Sequence, residues 1–96
     1  MKTTKSSLFI KQEQKLIKKG KLSKEQIDKT IQLFSNNPQD YRLRPHKITC
    51  KKDKSRRSIT VVPKTAYRIL YTQKENIAIL QQILHHDDYD RINKDC

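Results

Sequence analysis

Glycine occurs once in these 96 residues, and that scarcity removes whole classes of chemistry. A P-loop, a Gly-rich dinucleotide fingerprint and a nucleophile elbow all need glycine where the backbone meets a phosphate or turns sharply. Cysteine is nearly as scarce: Cys50 and Cys96 are the only two, and Cys96 is the last residue. Two such thiols supply no CxxC motif, no metal-ligand spacing and no disulfide framework, so they read as free thiols in a reducing cytoplasm. No apolar run approaches transmembrane length. The basic start Met1-Lys2-Thr3-Thr4-Lys5 is followed by no apolar h-region, so no signal peptide is expected. The expectation is a soluble cytoplasmic protein without a membrane partner, a metal or a small-molecule cofactor, whose chemistry uses polar side chains alone.

Acids are the next shortage. Ten Asp and Glu stand against 22 Lys and Arg, a net charge of +12 with a pI near 9.9. On so short a chain that excess argues for a polyanionic partner. The charge is also uneven. Arg42, Arg44, Lys47, Lys51, Lys52, Lys54, Arg56 and Arg57 share their stretch with one acid, Asp53, whereas Asp87, Asp88, Asp90 and Asp95 crowd the C-terminal end. The basic run is the pattern of phosphate contact, in which cations neutralise a nucleic-acid backbone without reading its sequence.

Apolar residues make up 33% of the chain, enough for one small domain over residues 1–96 with a thin core. Leu8, Phe9, Leu16 and Ile17 recur at helical spacing, and Gly20 ends that helix. A second helix opens with the capping box Ser23-x-x-Gln26 and a Leu22–Ile27 staple, shows Ile27, Ile31 and Phe34 on one stripe, and stops at Asn36-Asn37-Pro38. Residues 1–7 are a frayed terminus or a short edge strand. Leu43 and Ile48 suggest a strand leading to a polar loop at Lys52-Asp53-Lys54-Ser55, and β-branched Ser58-Ile59-Thr60-Val61-Val62 reads as another. After a turn at Pro63-Lys64-Thr65, Tyr67 to Thr72 and Ile77 to Leu84 complete a meander around Lys74-Glu75-Asn76. The expected fold is α+β: two N-terminal helices packed on an antiparallel sheet of three to four strands.

Two features carry chemistry. Arg68 stands inside the apolar run Tyr67-Arg68-Ile69-Leu70-Tyr71, where it points to solvent, to a partner or into a site. A guanidinium suits a phosphate because its planar fork donates two parallel hydrogen bonds. An arginine on the open face of a half-covered sheet gives the same pattern. The last strand ends in His85-His86-Asp87-Asp88-Tyr89, side chains that move protons near neutral pH. Neighbours at a strand end face opposite ways, so one of the two histidines is expected to work; both at the surface is the bland alternative. His46, inside the basic run, is a further candidate base. RNA makes such a set sufficient, because its own 2′-hydroxyl attacks the neighbouring phosphate and the protein supplies a base, an acid and a cation.

The order helix, helix, Leu43-Arg44-Pro45-His46-Lys47-Ile48, Arg57-Ser58-Ile59-Thr60-Val61, Tyr67-Arg68-Ile69-Leu70-Tyr71 and His85-His86-Asp87-Asp88-Tyr89 resembles the RelE/ParE toxin superfamily. In pattern it is nearest to the YafQ- and RelE-like messenger-RNA interferase toxins of type II toxin–antitoxin systems, over nearly the whole chain from Leu8 onward. The resemblance implies a RelE-like domain and metal-independent endoribonuclease activity on messenger RNA, usually on the ribosome, which inhibits translation. It also implies a cognate acidic antitoxin as partner. By position, Arg68 would contact the scissile phosphate, His46 would match a histidine after the second helix, and His86 and Tyr89 would match the C-terminal acid–base region. ParE-type members share the fold yet inhibit DNA gyrase without such a cluster, and a basic nucleic-acid-binding module without catalysis also fits the charge.

Overall fold

The computed structural model describes residues 1–48 and 55–94. Among them lie β1 (Lys2–Lys5), α1 (Ser7–Lys18), α2 (Lys24–Asn36), a 3-10 turn (Tyr41–Leu43), β2 (His46–Lys47), β3 (Arg56–Thr60), β4 (Tyr67–Lys74), β5 (Ile77–His85) and α3 (His86–Lys94). The polar loop expected at Lys52-Asp53-Lys54 falls outside the described residues, as do Cys50 and Cys96.

Both long helices start where their caps stand. The Ser6 hydroxyl accepts from the Phe9 N–H at 3.0 Å. Ser23 and Gln26 close the reciprocal capping box, at 3.1 and 2.9 Å. Gly20 follows α1 at φ 71°, a left-handed conformation that costs a glycine little, and its N–H donates to Ile17.

The sheet has the order β1-β5-β4-β3-β2. The meander β3-β4-β5 is antiparallel, with Arg68 opposite both Thr60 and Leu84, and Tyr67 opposite His85. The strand count exceeds the expected three to four because β1 adds as a parallel edge strand, Lys2 against Ile77 through Lys5 against Leu80. A four-residue polar segment has no apolar alternation by which to announce itself. The stretch around Leu43 forms a 3-10 turn and the two-residue β2 rather than one strand.

One face of the sheet carries the main core. Phe9, Leu22, Ile27 and Phe34 pack on Ile59, Val61, Ile69, Tyr71, Leu80 and Ile83, with Phe34 edge-on to Tyr71 at 4.7 Å between ring centroids. Thr30 threads this core. Its hydroxyl donates to the Gln26 carbonyl at 2.7 Å and accepts from the Val62 N–H at 3.0 Å. Thr30→Val keeps the volume but leaves a buried N–H without an acceptor, which should cost about 1–3 kcal/mol. A lower urea midpoint with an unchanged m-value would register it; no shift would mean that water reaches Val62.

The other face holds a smaller cluster of Ile48, Leu70, Leu84 and Tyr89, with Ile92 against it. Its cover is α3, where an extended strand end was expected. Three local signals make this segment helical. The His85 Nδ1 accepts from the Asp87 N–H at 3.2 Å, Asp87 and Asp88 sit in the first turn against the positive helix end, and Tyr89 and Ile92 share a face.

Candidate active site

Strand alternation sends Arg68 away from the main core, toward the face that α3 partly covers. There its guanidinium lies over the Tyr89 ring, 4.8 Å from the centroid, and Nη2 donates to the Ser58 Oγ at 3.0 Å. Nη2 also reaches the Arg44 carbonyl at 3.4 Å. Nε is buried and bonded to nothing among the described residues. The Ser58 hydroxyl is shared again, lying 3.0 Å from the Tyr89 hydroxyl. Ser58 is fully buried and Tyr89 is 8% exposed, so these three side chains form one tight unit under a partly exposed cation.

The histidines flank that unit unequally. His46 pairs in register with Ser58, and Ile48, two residues on, buries with Leu70 and Tyr89, which puts His46 on the same face. His86 opens α3 with its ring 6.4 Å from that of Tyr89, tilted by 30°, and its Nδ1 lies 3.3 Å from Asp90. Its backbone is pinned by an N–H donated to the Ala66 carbonyl at 2.7 Å. His85 sits elsewhere. It is opposite Tyr67, packs edge-on against that ring at 5.4 Å, and lines a cleft with Gln12, Lys15 and Leu16 of α1. The sheet therefore separates His85 from Arg68.

The basic run also divides. Arg56 shares the Ser58 face by alternation, whereas Arg57, opposite Tyr71, turns to the other side. Burial pushes the Tyr71 phenol up, and the positive charge of Arg57 draws it partly back. Lys47 is exposed on β2. Arg42 is tied to Asp40 by paired bonds of 3.0 and 2.7 Å, and Asp40 also caps the 3-10 turn by accepting the Arg42 N–H at 2.9 Å. The side-chain bond from Arg42 holds the Asp40 carboxyl down at about 2, and the same pairing raises Arg42. Arg44 closes that turn in the left-handed region, φ 46°. Lys51, Lys52 and Lys54 lie outside the described residues.

Sequence reasoning passed over Ser58, which reads there as one strand residue among β-branched neighbours. Its signal is positional: a polar residue two places from Thr60, the hairpin partner of Arg68. Asp40 was missed because it stands just ahead of the basic run that it partly neutralises. Among the described residues no three His, Cys, Asp or Glu side chains gather into a metal-binding group, and no helix is long and apolar enough to cross a membrane.

Solved toxin structures have this fold. YafQ from E. coli strain BL21(DE3) matches with a TM-score of 0.71 at 18% identity, over 91% of this chain and 94% of YafQ. A copper-bound mutant toxin from Helicobacter pylori matches with a TM-score of 0.74 at 21% identity, over 92% of this chain and 97% of that one. A match to the E. coli DinJ–YafQ toxin–antitoxin complex has a TM-score of 0.70 at 17% identity, over 90% of this chain and 92% of that one. The chain thus has the RelE-like toxin fold, α+β, with its expected helices and antiparallel meander in place. No protein-family model matches the sequence, and no curated protein matches it.

Proposed function

We propose that this chain is the toxin of a type II toxin–antitoxin pair and cleaves messenger RNA, without a metal, on the ribosome. The observation that carries the reading is Arg68, seated on Tyr89 and bonded to Ser58 on the face shared by His46 and His86. A cation fixed on three sides, with two imidazoles on the same face, suits attack of a 2′-hydroxyl on its own 3′-phosphate. His46 takes the 2′-OH proton. The oxygen then bonds to phosphorus, and Arg68, with Arg56 on its face, holds the charge of the crowded phosphorane. The P–O5′ bond breaks as His86 gives its proton to the leaving 5′-oxygen, leaving a 2′,3′-cyclic phosphate. The surplus of positive charge favours both the RNA and an acidic antitoxin, and an antitoxin partner accompanies YafQ in the DinJ–YafQ complex.

Primer extension on messages after induction, without antitoxin, tests the reading. Discrete, codon-linked cuts are expected. Intact messages with DNA damage would overturn it in favour of a gyrase inhibitor, and harmless expression would leave a binding module.

The buried Tyr89 hydroxyl already has a partner in Ser58, so the ring serves as a platform rather than as the acid. Tyr89→Phe keeps the platform and should slow cleavage by less than about tenfold, whereas loss of a true proton donor costs about 10²–10⁴. Single-turnover rates on programmed ribosomes decide, and a 10³-fold loss in Tyr89→Phe would return the acid role to the phenol.

A further inference from the structure

A cleft of about 680 Å³ opens beside the β3–β4 turn, and the proposed chemistry makes no use of it. Its lining is part apolar, with Leu33, Val62 and Pro63, and part cationic, with Lys29, Arg44 and Lys64. Tyr41 stands over it with 84% of its surface exposed. An aromatic so open contributes little to the core, yet its backbone is firmly held. Asp40 caps the turn, Leu43 buries completely, and the Arg44 N–H donates to the Tyr41 carbonyl at 3.2 Å. The cleft adjoins the candidate active site through one residue, since Arg44 lines it while the Arg44 carbonyl accepts from Arg68.

We infer that this cleft is a nucleobase subsite, taking one base of the RNA strand whose phosphodiester lies on Arg68, stacked on Tyr41 with its phosphate beside Arg44 and Lys64. The inference rests on the RNA-cleaving reading and adds where the strand goes next. An open aromatic ring offers a base a π-face, and a cationic rim suits a backbone phosphate: among the described residues the lining holds no carboxylate, and the adjacent Asp40 is already taken by Arg42. Because every base has a π-face, such a subsite grips the strand more than it reads it.

Cleavage of messenger RNA on programmed ribosomes tests this with an abasic nucleotide placed at successive positions around the cut. Tyr41→Ala should lower kcat/KM on the intact message by about tenfold, the scale of one lost base–aromatic stack, while Tyr41→Phe stays near wild type. With wild type, one abasic position should cost a similar factor, and at that position Tyr41→Ala should lose nothing further. Tyr41→Ala cleaving as fast as wild type, or penalties that multiply at every position, would overturn the subsite and leave the ribonuclease reading standing. A wild-type protein that cuts no message would overturn that reading, and the subsite with it. The exposure of Tyr41 makes misfolding a poor explanation of a loss, and an unchanged melting curve checks it.

Discussion

Arg68→Ala should abolish growth arrest on expression and slow single-turnover RNA cleavage by about 10²–10³, with the fold retained. The factor is the usual cost of removing one preorganised donor from a developing negative charge, about 2.7–4 kcal/mol. Here the donor is held on three sides, by the Tyr89 ring, the Ser58 hydroxyl and the Arg44 carbonyl, so little reorganisation is left for the moment of reaction. Arg68→Lys should recover only a small part of the loss, because an ammonium is a compact point charge and cannot present a planar, two-pronged fork to a phosphate from its place over the tyrosine ring. The variant's melting curve needs to stay near that of wild type, since the partly exposed side chain lies over Tyr89 of the smaller cluster and outside the main core. A fully toxic Arg68→Ala protein would remove Arg68 from the chemistry.

Phe34→Ala is the second large effect, and it falls on stability. The ring is completely buried, meets Tyr71 edge-on, and joins α2 to the central strand β4. Its truncation should cost about 3–5 kcal/mol through lost transfer energy and a residual cavity. For a domain of this size the melting temperature should fall by more than roughly 12 °C. Leu8→Ala is the control: at 49% exposure in α1 it should change stability by less than about 1 kcal/mol. Equal effects at the two positions in calorimetry would mean that α2 does not hold the sheet as described.

What could be read from the chain before its structure divides along physical lines. The caps, the helical stripe and the β-branched runs are local signals, and α1, α2, β3, β4 and β5 followed from them within a few residues. The Arg68 strand and the strand ending at His85 were placed side by side on the same grounds. Long-range pairing was less visible. Nothing local in Lys2–Lys5 says that it lies beside Ile77–Leu80. The switch from strand to helix between His85 and His86 turns on a side-chain cap and first-turn acids, which compete with an apolar run pointing the other way. That switch also sorts the two histidines, leaving His85 with α1 and sending His86 to the face of Tyr89. Ser58 became visible only through the hairpin register, which brings it within reach of both Arg68 and Tyr89.

The parallel pairing of β1 with β5 also sets an order of events during synthesis. Lys2 is made 75 residues ahead of its partner Ile77. At about 5–20 residues per second, the N-terminal segment waits roughly 4–15 s for the strand it docks on. Through that interval α1, α2 and the first hairpin can form from near neighbours, but β1 stays unpaired and β5 is not yet there to be covered. The Arg68 face is also incomplete until α3 follows β5 out. A chain arranged this way completes its β1 edge and its Arg68 face together, only once β5 and α3 have both been made.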